Sequence, residues 1–237
     1  MDRRQILKTG LVLIATATAA SIYRPANAKT FKGGEMWTSA LTYRPKPITS
    51  SLRVFLSERE AVLLGAIQNR LIPGDELGIG AVDAGCVVFV DHQLAGAFGK
   101  GSSSYKLGPY KKGTPEQGNQ SPLTPADVYQ KGLAELDAYT QQHLGGSFEH
   151  LSAADQDEFL EKLEAGGISF TSVDSKTFFA LMLQNVKEGY LADPVYGGNR
   201  DMVGWRMIGF PGARYDYRDY LPKIGQVIKI EPVSMLG

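Results

Sequence analysis

Apolar side chains recur with the period of an α-helix in several separate stretches of the chain. From Ser57, the residues Ala61, Leu64, Ile67, Gln68 and Leu71 fall on one face until Pro73 and Gly74 interrupt them. Ser57 with Glu60 three positions on has the form of a capping box, so the spacing predicts a first helix over 58–71. A second helix is predicted from about 80 to 95, with Val82, Cys86, Phe89 and Val90 on one face and Asp83 and His92 elsewhere around it. The run Val87 to Val90 also fits a buried strand, since so short an apolar run does not separate the two. Thr124-Pro125-Ala126-Asp127 supplies an N-cap, a first-turn proline and an acid near the positive helix end, opening a third helix with Leu133, Leu136 and Tyr139 or Thr140 as its stripe. Leu151-Ser152-Ala153-Ala154-Asp155 opens a fourth, carrying Phe159, Leu160 and Leu163 and closed by Gly166-Gly167. Asp174 to Lys187, with Phe178, Leu181, Met182 and Val186, makes a fifth that Gly189 ends.

Between and around these helices the pattern is lost. Residues 29–56 are rich in Thr, Ser, Pro and Gly and read as an extended arm. Residues 96–123 form a long stretch of low hydrophobicity with four lysines, and loops of this length are usually functional or disordered. From Tyr190 onward Gly, Pro and aromatic residues dominate. The expectation is a mainly α protein: one small helical domain over 57–237, of about five helices with long irregular loops, an extended N-terminal arm and an irregular C-terminal segment.

The first 28 residues read as a targeting segment: a basic start (Arg3, Arg4, Lys8), a modest apolar stretch from Ile6 to Ala20, and Ala26-Asn27-Ala28 as a small-x-small cleavage site. Its longest apolar run, Leu11 to Ala20, falls short of the roughly 20 residues that span a bilayer. The adjacent arginines in Asp2-Arg3-Arg4-Gln5-Ile6-Leu7-Lys8 resemble the twin-arginine export motif, whose translocase carries folded cargo. Cleavage after Ala28 would remove four basic residues and one acid, turning 25 basic against 25 acidic side chains into 21 against 24, a formal charge of −3. A mildly acidic chain without a basic run lacks the electrostatic footprint of a nucleic-acid binder.

Candidate chemistry is sparse. Cys86 is the sole cysteine, so no internal disulfide forms and neither haem c attachment nor a cysteine-ligated iron–sulfur cluster is available. Its neighbours Gly85, Val87, Val88, Phe89 and Val90 favour a buried thiol, with pairing to another chain as the alternative. Gly78-Ile79-Gly80-Ala81-Val82-Asp83 lacks the third glycine and the preceding strand of a dinucleotide fingerprint. His92, His143 and His150 lack zinc spacing, and no Gly-x-Ser-x-Gly elbow occurs. Glu149, Asp155 and Asp157 read as helix-start and solvated-face carboxylates rather than an acid–base pair. No catalytic, cofactor-binding or metal-ligating residue is expected. What stands out is Ala192-Asp193-Pro194-Val195-Tyr196-Gly197-Gly198-Asn199-Arg200 followed by Gly204-Trp205-Arg206-Met207-Ile208-Gly209-Phe210-Pro211-Gly212. Turn-fixing Pro and Gly beside aromatics and arginines suit recognition of another protein, which nominates Tyr196, Asn199, Arg200, Trp205, Arg206 and Phe210, with the 96–123 loop as a second candidate. The competing reading is that these aromatics cap the domain's own core.

The twin-arginine start, the helix ending in Ile72-Pro73-Gly74-Asp75, the Gly80-Ala81-x-x-Ala84-Gly85-x-x-x-Phe89-Val90-Asp91 stretch and the two C-terminal motifs together resemble the gluconate 2-dehydrogenase subunit 3 family. The resemblance spans most of residues 55–212. It implies a non-catalytic small subunit of a membrane-bound, FAD-dependent sugar or sugar-acid dehydrogenase, alongside an FAD-containing large subunit and a multihaem cytochrome c that hold the cofactors. It also implies that the flavoprotein, lacking a signal, is exported by the twin-arginine translocase while bound to this chain. The complex would sit in the periplasm, peripheral to the cytoplasmic membrane, with ubiquinone as electron acceptor. Gluconate fits best as substrate, with fructose, glucose and sorbitol enzymes of the same architecture as alternatives. A free-standing periplasmic binding protein or enzyme is the reading from a different class.

Overall fold

A computed structural model describes residues 46–49, 52–104, 108–111, 113–117, 121–214 and 216–235. These lie in one unit, Arg44–Gly237. The signal segment with Arg3 and Arg4, and the arm up to residue 45, fall outside the described residues.

The fold is mainly α. Among the described residues the helices are α1 (Glu58–Leu71), α2 (Cys86–Ala95), α3 (Pro125–His143), α4 (Ala153–Ala165), α5 (Ser175–Leu191) and a short α6 (Val203–Ile208). Among the described residues β-pairing is confined to two isolated bridges, Asp75 with Gly78 and Gly212 with Val233. The predicted starts hold in detail. Ser57 and Thr124 each form a complete capping box, with Glu60 and Asp127, and the side chain of Ser152 accepts from the Asp155 N–H. Each satisfies N–H groups the first turn leaves without an intrahelical partner, typically worth ~1 kcal/mol.

α5 is the central element and packs against every other long helix. The core gathers Leu64 and Ile67 from α1, Val90 from α2, Tyr129, Leu133 and Leu136 from α3, Leu163 from α4, and Phe178 and Met182 from α5, all essentially inaccessible. Fully burying such a side chain stabilises by roughly 1.5–3 kcal/mol. Tyr129 meets Phe178 edge-on at 6.2 Å between ring centres, and its hydroxyl donates to Asn185 Oδ1 at 3.0 Å, so the one polar atom this ring brings inside is satisfied. Outside the core, Arg59 of α1 donates to both Asp137 of α3 and Glu149 of the 148–150 turn. The hydrogen bond from Arg59 holds the Asp137 carboxyl below its ordinary range. Burial works against ionisation of Glu149, yet its bond from Arg59 leaves it lowered as well.

Three boundaries differ from the sequence reading. The second helix begins at Cys86 rather than near 80, because Gly85 adopts a left-handed conformation (φ 86°) and residues 80–84 instead form turns tied to α1, with the Ala81 N–H on the Ile72 carbonyl at 2.9 Å. The Val87–Val90 run is helical. The fifth helix does not end at Gly189 but continues to Leu191. Gly189 is there for contact: a Cβ on it would lie 2.9 Å from the Phe89 ring, so its bare backbone lets α2 and α5 cross closely. Finally, the segment after Tyr190 contains α6 and the 3-10 turns Pro194–Tyr196, Arg200–Met202 and Arg218–Lys223, elements too short to leave a periodic signature.

Cys86 lies with Ala81, Ala84, Val186 and Tyr190 in a second, smaller cluster, fully buried and without a disulfide. Burial pushes its thiol up to about 12. The thiolate is the nucleophile, so Cys86 should resist alkylation by iodoacetamide at pH 8 in the native chain and react promptly in denaturant. Rapid native labelling would show that this cluster is open.

Asp91 on α2 is 1% exposed and anchors the end of the arm: its carboxylate accepts from the backbone N–H groups of Val54, Phe55 and Leu56 at 2.7, 3.0 and 2.7 Å. Asp91→Ala would leave those donors unsatisfied, and a loss of about 3 kcal/mol or more is expected in urea denaturation of the mature chain. Substitution of the exposed Asp83 should change stability by less than ~0.5 kcal/mol.

Candidate functional site

The C-terminal motif residues fold into a corner at the end of α5. Asp193 caps the 194–196 turn, accepting from the Val195 N–H at 3.0 Å, and also binds the distant tail: Ser234 Oγ donates to it at 2.7 Å and the Met235 N–H at 2.8 Å. Pro194 then fixes the first position of the turn. At Gly197 (φ 91°) the chain reverses against the Gly85 turn, where a Cβ on Gly85 would come within 2.5 Å of the Gly197 carbonyl oxygen. The Arg200 N–H donates to the Ala84 carbonyl at 3.0 Å, and the Ile48 N–H to the Val195 carbonyl at 2.9 Å. The Gly80–Asp91 stretch and the Asp193–Asn199 stretch, a hundred residues apart in sequence, thus form one structural unit.

Asn199 locks this unit from inside. It is fully buried in a left-handed conformation (φ 46°), its Nδ2 donating to the Ala192 carbonyl at 2.8 Å and its Oδ1 accepting from the Gly204 N–H at 2.8 Å. Asp201 and Met202 follow at φ 56° each. Asn and Asp tolerate this region, whereas Met pays of order 1–2 kcal/mol, a strain the surrounding bonds must hold. Trp205 is 5% exposed, its Nε1 donates to the Leu191 carbonyl at 2.7 Å, and Phe210 lies edge-on to it at 5.3 Å.

The six nominated residues therefore separate. Asn199 and Trp205 are corrected from surface anchors to internal braces, because each hydrogen-bonds the carbonyls that α5 leaves free at its C-terminus. Tyr196 and Phe210 remain 39% and 45% exposed, and Arg200 is exposed. Arg206, also at the surface, is engaged by the Asp201 carbonyl at 3.2 Å and by an ion pair with Glu231. Sequence reasoning missed Met207 and Ile208, which α6 leaves open to solvent. It also missed an open apolar groove of about 590 Å³ between α2 and α5, floored by Phe89, Leu191, Ala192 and Tyr196 and rimmed by Gln93 and Lys187. The signal for the groove was the α5 stripe continuing through Gly189 to Leu191.

The other loop, 96–123, begins as turns over the end of α2, with the Ser102 N–H on the Ala97 carbonyl, and then rejoins α3 through the Ala126 N–H on Gly99. Among the described residues no three His, Cys, Asp or Glu side chains gather as a metal site. Asp155 stands at the start of α4, while Asp157 pairs with Arg70 and Glu149 with Arg59. No described helix is long and apolar enough to cross a membrane.

Fold and site define a helical domain with a corner braced from within by Asn199 and Trp205 and bearing the exposed aromatics Tyr196 and Phe210. The chain belongs to the gluconate 2-dehydrogenase subunit 3 family, whose model matches residues 58–212, from the first residue of α1 to the glycine that closes the corner. No curated protein and no solved structure matches the chain. At family level it is a small subunit of a dehydrogenase complex.

Trp205→Ala should destabilise the isolated mature chain by about 3–5 kcal/mol, seen as a melting temperature lower by roughly 6 °C or more. Trp205→Phe, which keeps most of the packing and loses the bond to Leu191, should cost nearer 1 kcal/mol. Wild-type stability in Trp205→Ala would return this residue to the surface.

Proposed function

We propose that this chain is the non-catalytic small subunit of a membrane-bound, FAD-dependent sugar-acid dehydrogenase, with gluconate 2-dehydrogenase the best-fitting enzyme, and that it matures and exports the flavoprotein subunit. The observation that carries the reading is the family match over 58–212, which takes in both halves of the braced corner. Two features of the chain support the finer assignment. The paired Arg3 and Arg4 suit export of folded cargo, and folded export matters when a cofactor must be inserted beforehand. A corner held rigid from within, with Tyr196, Phe210 and Arg200 directed outward, offers a preorganised surface of the residue types that dominate binding energy.

In this assignment the partner docks against the corner and the adjoining α2/α5 groove. Oxidation of the sugar-acid hydroxyl belongs to the FAD of the large subunit, with haem c of the cytochrome subunit as relay and ubiquinone as acceptor. The chain's own contribution is to bind the flavoprotein and bring it, folded, through the twin-arginine translocase to the periplasmic face of the membrane. Specificity for gluconate, as against fructose, glucose or sorbitol, resides in the large subunit.

Replacing Arg3 and Arg4 together with lysine should retain both this chain and the flavoprotein in the cytoplasm. Cell fractions assayed for dye-linked dehydrogenase activity and flavin would then show activity moving out of the periplasmic fraction. Undiminished periplasmic activity in the double variant would contradict export by this chain.

A further inference from the structure

The chain leaves the corner at Gly212 and returns to it at Val233, where the Ala213 N–H donates to the Val233 carbonyl at 2.7 Å and the Val233 N–H to the Pro211 carbonyl at 3.2 Å. Apolar residues on the returning limb lean on the domain: Ile228 and Ile230 are half-buried and Pro232 is buried. At the far end the reverse holds. The 3-10 turn Arg218–Lys223 and the residues after it leave Leu221 67%, Ile224 91% and Val227 97% exposed. Gly225, between the last two, has φ 77°, and a Cβ on it would meet nothing within 4 Å, so this tip stands clear of the domain. Single exposed aliphatics are ordinary, but three within the seven residues 221–227 form a patch of the kind that marks an interaction surface. Their neighbours indicate its chemistry. Tyr217 and Tyr220 lie with ring centres 6.5 Å apart, and Lys223 Nζ sits 5.2 Å from the centre of the Tyr220 ring. Arg218 is paired with Asp216, whereas among the described residues Lys223 and Lys229 have no carboxylate partner. Residues 217–230 hold three basic side chains against the single acid Asp219, in a chain with 25 of each sign.

We propose that the 217–229 tip is a membrane-surface anchor seated in the interfacial layer of an anionic bilayer, an inference that rests on the membrane-side placement in the function assigned above. Leu221, Ile224 and Val227 enter the boundary between headgroups and acyl chains, Tyr217 and Tyr220 lie at headgroup level, and Lys223 and Lys229 reach the lipid phosphates. A projecting turn with its aliphatics spread outward suits a bilayer, which adapts to any shape. A protein occupant would need a hollow matching the tip as closely as interiors pack. The two lysines without carboxylates set the sign of the surface, since each basic group near an anionic bilayer adds to the attraction.

Ile224→Cys labelled with the environment-sensitive dye NBD reads the tip directly, because the one native cysteine is buried. The chain, purified from periplasm with the subunits it carries, is added to vesicles of phosphatidylethanolamine and phosphatidylglycerol. NBD emission should rise and be quenched by lipids bearing a nitroxide near the top of the acyl chain, while the dye on Glu161→Cys, exposed on α4, should stay unquenched. Adding Lys223→Gln and Lys229→Gln should raise the lipid concentration needed for half-maximal quenching about tenfold or more, with the melting temperature unchanged. Three results would each overturn the proposal: a dye at 224 that lipid nitroxides do not quench, equal quenching on vesicles of phosphatidylcholine alone, or a dye already shielded before lipid is added. In the last case sedimentation tells a second copy from a partner subunit. With a flavin-bearing subunit still co-purifying, any of these leaves the assigned function standing. Absence of such a subunit overturns that function, and the quenching at 224 still decides the tip.

Discussion

Backbone meets backbone where the last turn of α5 touches the 197–199 turn, and the organisation of the C-terminal half follows from that contact. A Cβ on Gly198 would lie 2.2 Å from the Gly189 carbonyl oxygen, so the two segments are closer than any side chain permits. Such proximity would bury the free carbonyls at the end of α5 without partners. Asn199 and Trp205 supply those partners, bonding the Ala192 and Leu191 carbonyls respectively. The left-handed residues at 199, 201 and 202 then turn the chain into α6, and Phe210 closes over Trp205. Buried carboxylates perform the matching task for the two ends of the described domain: Asp91 holds the arm at 54–56 and Asp193 holds the tail at 234–235.

The helices were legible in the sequence because their signals are local. Ser57 with Glu60 and Thr124 with Asp127 announce N-termini through bonds that span three residues, and the apolar stripes of α1, α3 and α4 face the core as their spacing requires. What stayed hidden depends on partners distant in the chain. Gly189 has the composition of a helix end, and only Phe89, a hundred residues earlier, explains its place inside α5. Trp205 and Asn199 have the composition of an interface, yet the carbonyls they satisfy belong to a helix end whose position was not fixed by periodicity. Asp91 carried no visible sign of its three backbone donors.

That division bears on function. The residues buried at the corner set its shape, and the family's model runs through them to Gly212. Tyr196, Phe210 and Arg200, the α2/α5 groove and much of the tail remain open to solvent. In the function proposed above, a chain organised in this way supports an enzyme by contact, with the oxidative chemistry in the subunits it accompanies.

The central claim is assembly with a flavin-bearing dehydrogenase. Purification of the chain from periplasm through an affinity tag, followed by absorbance spectroscopy before and after addition of gluconate or a related sugar substrate, tests it most directly. The account predicts a flavin band and a haem c Soret band in stoichiometric amount, both changing to their reduced forms on addition of substrate. A colourless chain, stable and free of any dehydrogenase subunit, would contradict it.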